Sequence, residues 1–275
     1  MRTSEAVNRY LGECAARGLA RSTVAQYSWA LRRLNAQCAR LPKRGRDLLP
    51  VMADLALSLE SRRDLLKCLR AFFGWCGRRY RWPDPVGELD PLPKRKRLPR
   101  VLTELEVDQV LGAALNRRDR ALVLLVLDTG IRVGELAGLR WGDVGPDYLV
   151  VRGKTGDRRV PLSAEVKREL LGLGEGAHVW TGRRGPLTRS GVMLAYRRLF
   201  ARAGLSGTKL GPHTLRHTFA TWYIRGGGGL AQLQGILGHS SVATTMIYVT
   251  LAGRDLAADH ARYSPVRTLG LISSG

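Results

Sequence analysis

The chain has 275 residues, 44% of them hydrophobic, with 45 Lys and Arg against 23 Asp and Glu, a formal charge of +22. That hydrophobic share supports packed cores and excludes a disordered basic tail. The longest apolar run, Ala121–Leu127, falls far short of the roughly 20 residues a membrane-spanning helix needs. Both halves are basic: residues 1–99 carry 21 Lys and Arg against 9 Asp and Glu, and residues 100–275 carry 24 against 14. Such a surface repels itself until a polyanion neutralises it, which points to nucleic acid. No Lys/Arg-rich helix with a broad apolar face argues for a membrane surface instead. The opening MRTSEAVNRY lacks the apolar core of a secretory signal, so a soluble, cytoplasmic protein is expected.

At about 100–200 residues per domain the length predicts two. The first, 1–82, reads as a bundle of four or five helices. Ser4 can cap a helix carrying Val7, Leu11 and Cys14, which Gly18 ends, and Ser22 precedes a second with Val24, Tyr27, Ala30, Leu31 and Leu34. Arg32 and Arg33 lie on its other faces and are DNA-binding candidates. Pro50 and Ser61 mark two further starts, the latter leading into Leu65, Leu66, Leu69, Phe72, Phe73 and Cys76. The four cysteines (Cys14, Cys38, Cys68, Cys76) all fall in these helices without a CxxC pair, so buried thiols are expected rather than a metal or disulfide set.

Residues 83–99 hold five of the 12 prolines and the run Lys94-Arg95-Lys96-Arg97. Proline density forbids a helix and favours an extended connector, and its four basic residues are candidates for lying along a DNA backbone. The second domain, 100–275, opens on Thr103 and Glu106 at capping-box spacing. YLVVRG (148–153) and RRVPL (158–162) around a Gly/Asp turn predict a hairpin, and helices run on to about residue 252. The expected fold class is mainly α: a helical bundle plus a mostly α domain with a small antiparallel sheet.

Three segments of that second domain carry chemistry: DTGIRVGELAGLRW (128–141), GPHTLRHTFAT (211–221) and LGHSSVATTMIYVT (237–250). In the second, His213 and Arg216 at i, i+3 share a helix face. Arginines bind planar forks of phosphate oxygens at any relevant pH. Histidines donate or shuttle protons, and the set would stabilise the charge of a pentavalent phosphorane. A tyrosine, with a free pKa of about 10, attacks only once its proton is removed or its phenolate stabilised. No acidic cluster accompanies these residues, so neither a metal nor any other cofactor is expected.

Taken together, Arg132, Lys154, the His213-x-x-Arg216 pair, LGHSS with His239, and Tyr248, in that order, resemble the tyrosine recombinase (phage integrase) family. The resemblance covers the whole chain, the helical bundle being similar to a core-binding domain and residues 100–275 to the catalytic domain. It implies that Arg132 and Arg216 clamp the scissile phosphate and that Lys154 is the acid at the leaving 5′ oxygen. His213 would handle a proton or a hydrogen bond, and His239 would touch the phosphate. Tyr248 would be the nucleophile that forms a 3′-phosphotyrosyl link. Glu135, at a position often acidic in the family, would orient its neighbours. His217, about 100° around the helix from Arg216, reads as structural support. Gly226–Gly229 departs from the family's shorter turn, and four glycines cost entropy on ordering, so the segment bearing His239 and Tyr248 is expected to move relative to the clamp.

The resemblance further implies double-stranded DNA as partner, a homotetramer on two recombination sites, and a monomer or dimer off DNA. With no arm-binding segment ahead of residue 1, the simple two-domain members are the nearer match. Two alternatives share the pattern: a nicking–closing enzyme like type IB topoisomerases, and a DNA-binding protein of this fold without activity. Whether Tyr248 serves its own subunit or a neighbour stays open, as does the choice for the C-terminal tail between a frayed end and packing on a neighbour.

Overall fold

In the first unit, Met1–Lys96, the helical periodicity closes into a bundle of α1 (Thr3–Ala16), α2 (Arg21–Gln37), α3 (Leu49–Met52) and α4 (Leu59–Tyr80). The computed structural model describes residues 1–93, 98–153, 156–182, 185–207, 210–253, 260 and 264–268. The basic run Lys94–Arg97 and Lys154, both singled out above, lie outside the described residues. The stripe of α4, Leu65, Leu69, Phe72 and Phe73, is fully buried, each side chain contributing roughly 1.5–3 kcal/mol. Tyr10 of α1 sits 5.3 Å from each of the rings of Tyr27, Phe72 and Trp75. Cys14, Cys68 and Cys76 are buried free thiols and Cys38 is half-buried.

Helix starts differ from expectation by a residue or two, and in α1 and α2 no side chain caps the start. Thr3 N–H bonds Ala39 O at 3.1 Å and Val24 N–H bonds Ala20 O, so Ser4 and Ser22 fall inside the first turns. Ser58, not Ser61, caps α4 by accepting from Ser61 N–H at 3.2 Å. A larger difference concerns the proline-rich segment, whose first part is folded onto the bundle instead of extended. Val86 is completely buried, Leu89 N–H closes a turn on Val86 O, and Glu88 accepts from Gly45 N–H at 2.6 Å. Val86, Leu89 and Leu92 recur every third residue, so turns between prolines bring all three apolar side chains onto the bundle. Arg33, a DNA-binding candidate, stacks over Trp29 at 4.6 Å and faces Asp54 at 3.8 Å, whereas Arg32 is exposed.

The second unit, Arg97–Gly275, is built on α5 (Glu104–Gly112), α6 (Arg117–Thr129), α7 (Val133–Ala137), α8 (Ala164–Leu171), α9 (Arg189–Arg202), α10 (Pro212–Arg225), α11 (Leu230–Leu237) and α12 (Val242–Ala252). Thr103 and Glu106 form the expected capping box, and Asn116 caps α6. The antiparallel hairpin pairs β1 (Tyr148–Gly153) with β2 (Gly156–Pro161), Tyr148 opposite Pro161 and Gly153 opposite Gly156. Leu149, Val151 and Val160 bury the hairpin against a core that includes Leu122, Leu125, Tyr196 and Leu215. A second pair, β3 (Thr181–Gly182) and β4 (Gly185–Pro186), was not foreseen, since two-residue strands carry no alternation to read. No helix among the described residues is long and apolar enough to cross a membrane.

Helices α10, α11 and α12 share a separate apolar cluster: Ala220, Ile224, Leu233, Leu237, Tyr248 and Ala252. The glycine run between α10 and α11 is tied down by Gly226 N–H to Trp222 O and Gly228 N–H to Tyr223 O, at 2.8 and 2.9 Å. Gly227 takes φ +91°, and a side chain at Gly228 would strike the Tyr223 ring. Arg225 then fastens the end of α12, donating to the carbonyls of Leu251 and Ala252.

Candidate active site

The breaks after α6 and α11 set the site's geometry. Both helices end on a left-handed glycine, Gly130 and Gly238, each at φ +61°. A Cβ at Gly130 would lie 2.4 Å from the Phe219 ring, so only glycine lets α10 approach so closely. The carbonyls left unpaired at these helix ends carry the negative pole of the dipole and suit cations. Three arginines occupy the end of α11, each on its own carbonyl: Arg158 Nε donates to Ile236 O at 2.9 Å, Arg216 Nη2 to Leu237 O at 2.8 Å, and Arg132 Nη2 to Gly238 O at 2.9 Å. Arg216 also donates through Nη1 to Gly130 O, so it bridges both helix ends.

Glu135 organises this cationic group. Its carboxylate accepts both terminal nitrogens of Arg158, at 2.9 and 3.0 Å, together with the Arg132 guanidinium at 3.1 Å and the Arg132 backbone N–H at 2.7 Å. Burial would push this carboxyl up, but the bonds from Arg158 and Arg132 outweigh it and hold it below the ordinary range. A group with a depressed folded pKa stabilises above its unfolded value and loses that contribution as pH falls through the folded one. Glu135→Gln, which strands a buried pair, should therefore cost about 3 kcal/mol at pH 7. The gap to the parent should narrow as pH drops below about 4.3, as measured by urea denaturation across pH.

Arg216 is only 4% exposed, and desolvation followed by the charge of Arg132 lowers its pKa to about 10. It stays a cation at neutral pH. Its Nη2 lies 3.0 Å from His239 Nε2, which must accept, so the proton of His239 sits on Nδ1 and is donated to Thr245 Oγ1 at 3.0 Å. His239 is further fixed through its backbone, whose N–H bonds Gln234 O and whose carbonyl accepts from the Gln234 amide. Desolvation, then Arg216 and Arg132, depress the His239 pKa to about 4, so the ring is neutral. His213 is exposed at the rim, yet desolvation of its ring and the charges of Arg216, Arg189 and Arg132 lower its pKa as well. Positive charge at this site therefore comes from the arginines.

Tyr248, on α12, is 2% exposed, and its hydroxyl lies 3.0 Å from His217 Nδ1. Its ring stacks toward that of His239 at 6.4 Å. Desolvation raises the phenol pKa, while Arg216 and Arg132 pull the other way. His217 was expected to serve only as support; instead it meets the tyrosine directly. Its place at i+4 from His213 was the readable signal, because that spacing puts both rings on one helix face. Arg158 was likewise missed, as the first of two adjacent arginines in a hairpin strand with nothing in its spacing to mark it. Arg132, Glu135, Arg216, His239 and Tyr248 thus come together within one chain, with His213 at the rim.

A family model described as phage integrase family matches residues 100–254. The chain belongs to that family. Among relatives of this phage integrase homologue, the tyrosine recombinase XerD of Xanthomonas axonopodis pv. citri is 36% identical over 228 residues, covering 73% of this chain and 75% of that protein. The tyrosine recombinase XerD of Brucella suis biovar 1 is 32% identical over 290 residues, covering 90% and 93%. The fold is similar to that of a lambda integrase dimer bound to a COC' core site, at TM-score 0.76 and 24% identity, covering 89% of this chain and 97% of that one. The mainly helical fold with small antiparallel sheets is the integrase fold.

Proposed function

We propose that this tyrosine-type, site-specific DNA recombinase cuts and rejoins strands with Tyr248 as nucleophile and Arg132 and Arg216 as the clamp on the scissile phosphate. The observation that carries the reading is the buried Tyr248 ring, stacked toward His239 and within reach of the charges of Arg216 and Arg132, two arginines held by helix-end carbonyls. The scaffold bonds of Arg216 use three of the five N–H groups of a guanidinium, and Arg132 keeps 38% of its side chain exposed, so both retain donors for phosphate oxygens. Attack forms a 3′-phosphotyrosyl ester and frees a 5′-hydroxyl, with Lys154 as the acid at that oxygen. Because the ester conserves the phosphodiester's energy, rejoining to another 5′-hydroxyl requires no nucleotide. His239 steadies Arg216, and His213 adds a contact from the rim.

Double-stranded DNA fits a chain of charge +22, with Arg32 and the run Lys94–Arg97 as added backbone contacts. Residues 1–82, with the stretch through Leu92 packed on them, form the core-binding part, the rest of 83–99 the connector and 100–275 the catalytic part. The recombining assembly is a homotetramer on two sites, with monomers or dimers off DNA, acting in the cytoplasm. A library of nicked duplexes that traps covalent intermediates tests the chemistry. Captured adducts should carry the nucleotide on the peptide containing Tyr248, read by mass spectrometry; a nucleotide on another residue, or no adduct, overturns it.

A further inference from the structure

We propose that His217 accepts the proton of the Tyr248 hydroxyl during strand cleavage and returns it on rejoining. The inference deepens the reading of Tyr248 as nucleophile and rests on it. A phenol O–H can donate once, and the His217 Nδ1 lies 3.0 Å away. With the ring proton on Nε2, Nδ1 accepts from the phenol O–H, and this is the tautomer the proposed step uses. The attacking oxygen cannot bond phosphorus and keep its proton, so a base within hydrogen-bond reach is required. His239, whose ring stacks toward Tyr248, has its Nε2 lone pair on Arg216 and its Nδ1 proton on Thr245, so it has no lone pair to offer.

The surroundings tie basicity to substrate. The titratable and charged groups around His217 are His213 and Arg216 on its own helix, Tyr248 on α12 and His239 beyond α11. Desolvation, then His213 and Arg216, hold its pKa to about 4 in the free protein, so the ring is neutral and its lone pair open. A phosphate dianion equivalent developing in the transition state beside Arg216 offsets those repulsions and raises the ring's affinity for a proton as the bond to phosphorus forms. In the balanced step, the phenolic oxygen bonds phosphorus and its proton passes to His217 Nδ1. The bond from phosphorus to the 5′ oxygen breaks, and that oxygen takes a proton from the acid assigned to Lys154.

Single-turnover adduct formation by the full chain, on a duplex recovered by the trapping experiment, tests this in His217→Ala and His217→Gln. Glutamine keeps an acceptor for the tyrosine hydroxyl but is no base. Both variants should bind the duplex as the parent does, cleave about 100-fold more slowly at pH 7, and recover about tenfold per pH unit as hydroxide replaces the ring. Sulfur at the 5′ bridging position, which removes the need for an acid, should leave their defect intact. A fluorinated tyrosine at 248, with a more acidic phenol, should shrink it. The proposal is overturned if glutamine restores the parental rate, if bridging sulfur does so, or if the loss is equal at every pH. It is also overturned, together with the reading beneath it, if the nucleotide is found away from Tyr248. Parental speed in both variants with the nucleotide on Tyr248 overturns the proposal alone.

Discussion

Tyr248→Phe should eliminate covalent protein–DNA adducts while leaving duplex binding unchanged. The substitution removes one oxygen from a ring that is 2% exposed among Ala220, Ile224, Leu233, Leu237 and Ala252, so the packing of α12 survives. The structural loss is one hydrogen bond with His217, about 1 kcal/mol, a small shift in thermal midpoint. The chemical loss is total, since no other oxygen of the side chain can attack. Gel-shift affinity and adduct yield, measured on the same nicked duplex, separate the two. Adducts persisting in the phenylalanine variant would remove Tyr248 from the reaction.

The second large effect is expected at Arg216. Arg216→Lys keeps the charge but offers one nitrogen where the guanidinium reaches Gly130 O, Leu237 O and His239 at once. The lysine cannot span both helix ends and still face a phosphate. Cleavage should fall by about 10³-fold or more, the scale seen when a donor aimed at developing charge is removed. Stability should also drop by roughly 2 kcal/mol, because carbonyls buried with Arg216 lose their donor. Arg132→Lys should be milder in stability, since its side chain is 38% exposed. Single-turnover rates and denaturant midpoints for the pair give the comparison; a loss below tenfold at Arg216 would contradict its role as clamp.

What could be read from the sequence was local. The capping box at Thr103 and Glu106 and the hairpin over 148–162 are written in adjacent residues, and each is present. The folding of the proline-rich segment was not legible, because burial of Val86 depends on Gly45 and Glu88 meeting across the bundle. Ordered motifs named Arg132, Arg216, His239 and Tyr248, but not what holds them. Arg158 reaches Glu135 and Ile236 from a strand separated from both in the chain, and His217 finds Tyr248 from the neighbouring helix. Contacts of this kind arise only when elements dock: the i+4 spacing of His213 and His217 marks a shared face but not the tyrosine that meets it.

The end of α11 has a further consequence. Ile236, Leu237 and Gly238 each anchor a different cation, and His239 follows without a spacer. Sliding this single turn by little more than an ångström would loosen all four groups in one movement, so intermediate degrees of assembly are scarcely accessible. On the proposed chemistry, the three arginines and His239 would thus be held or loosened as one unit by the end of α11.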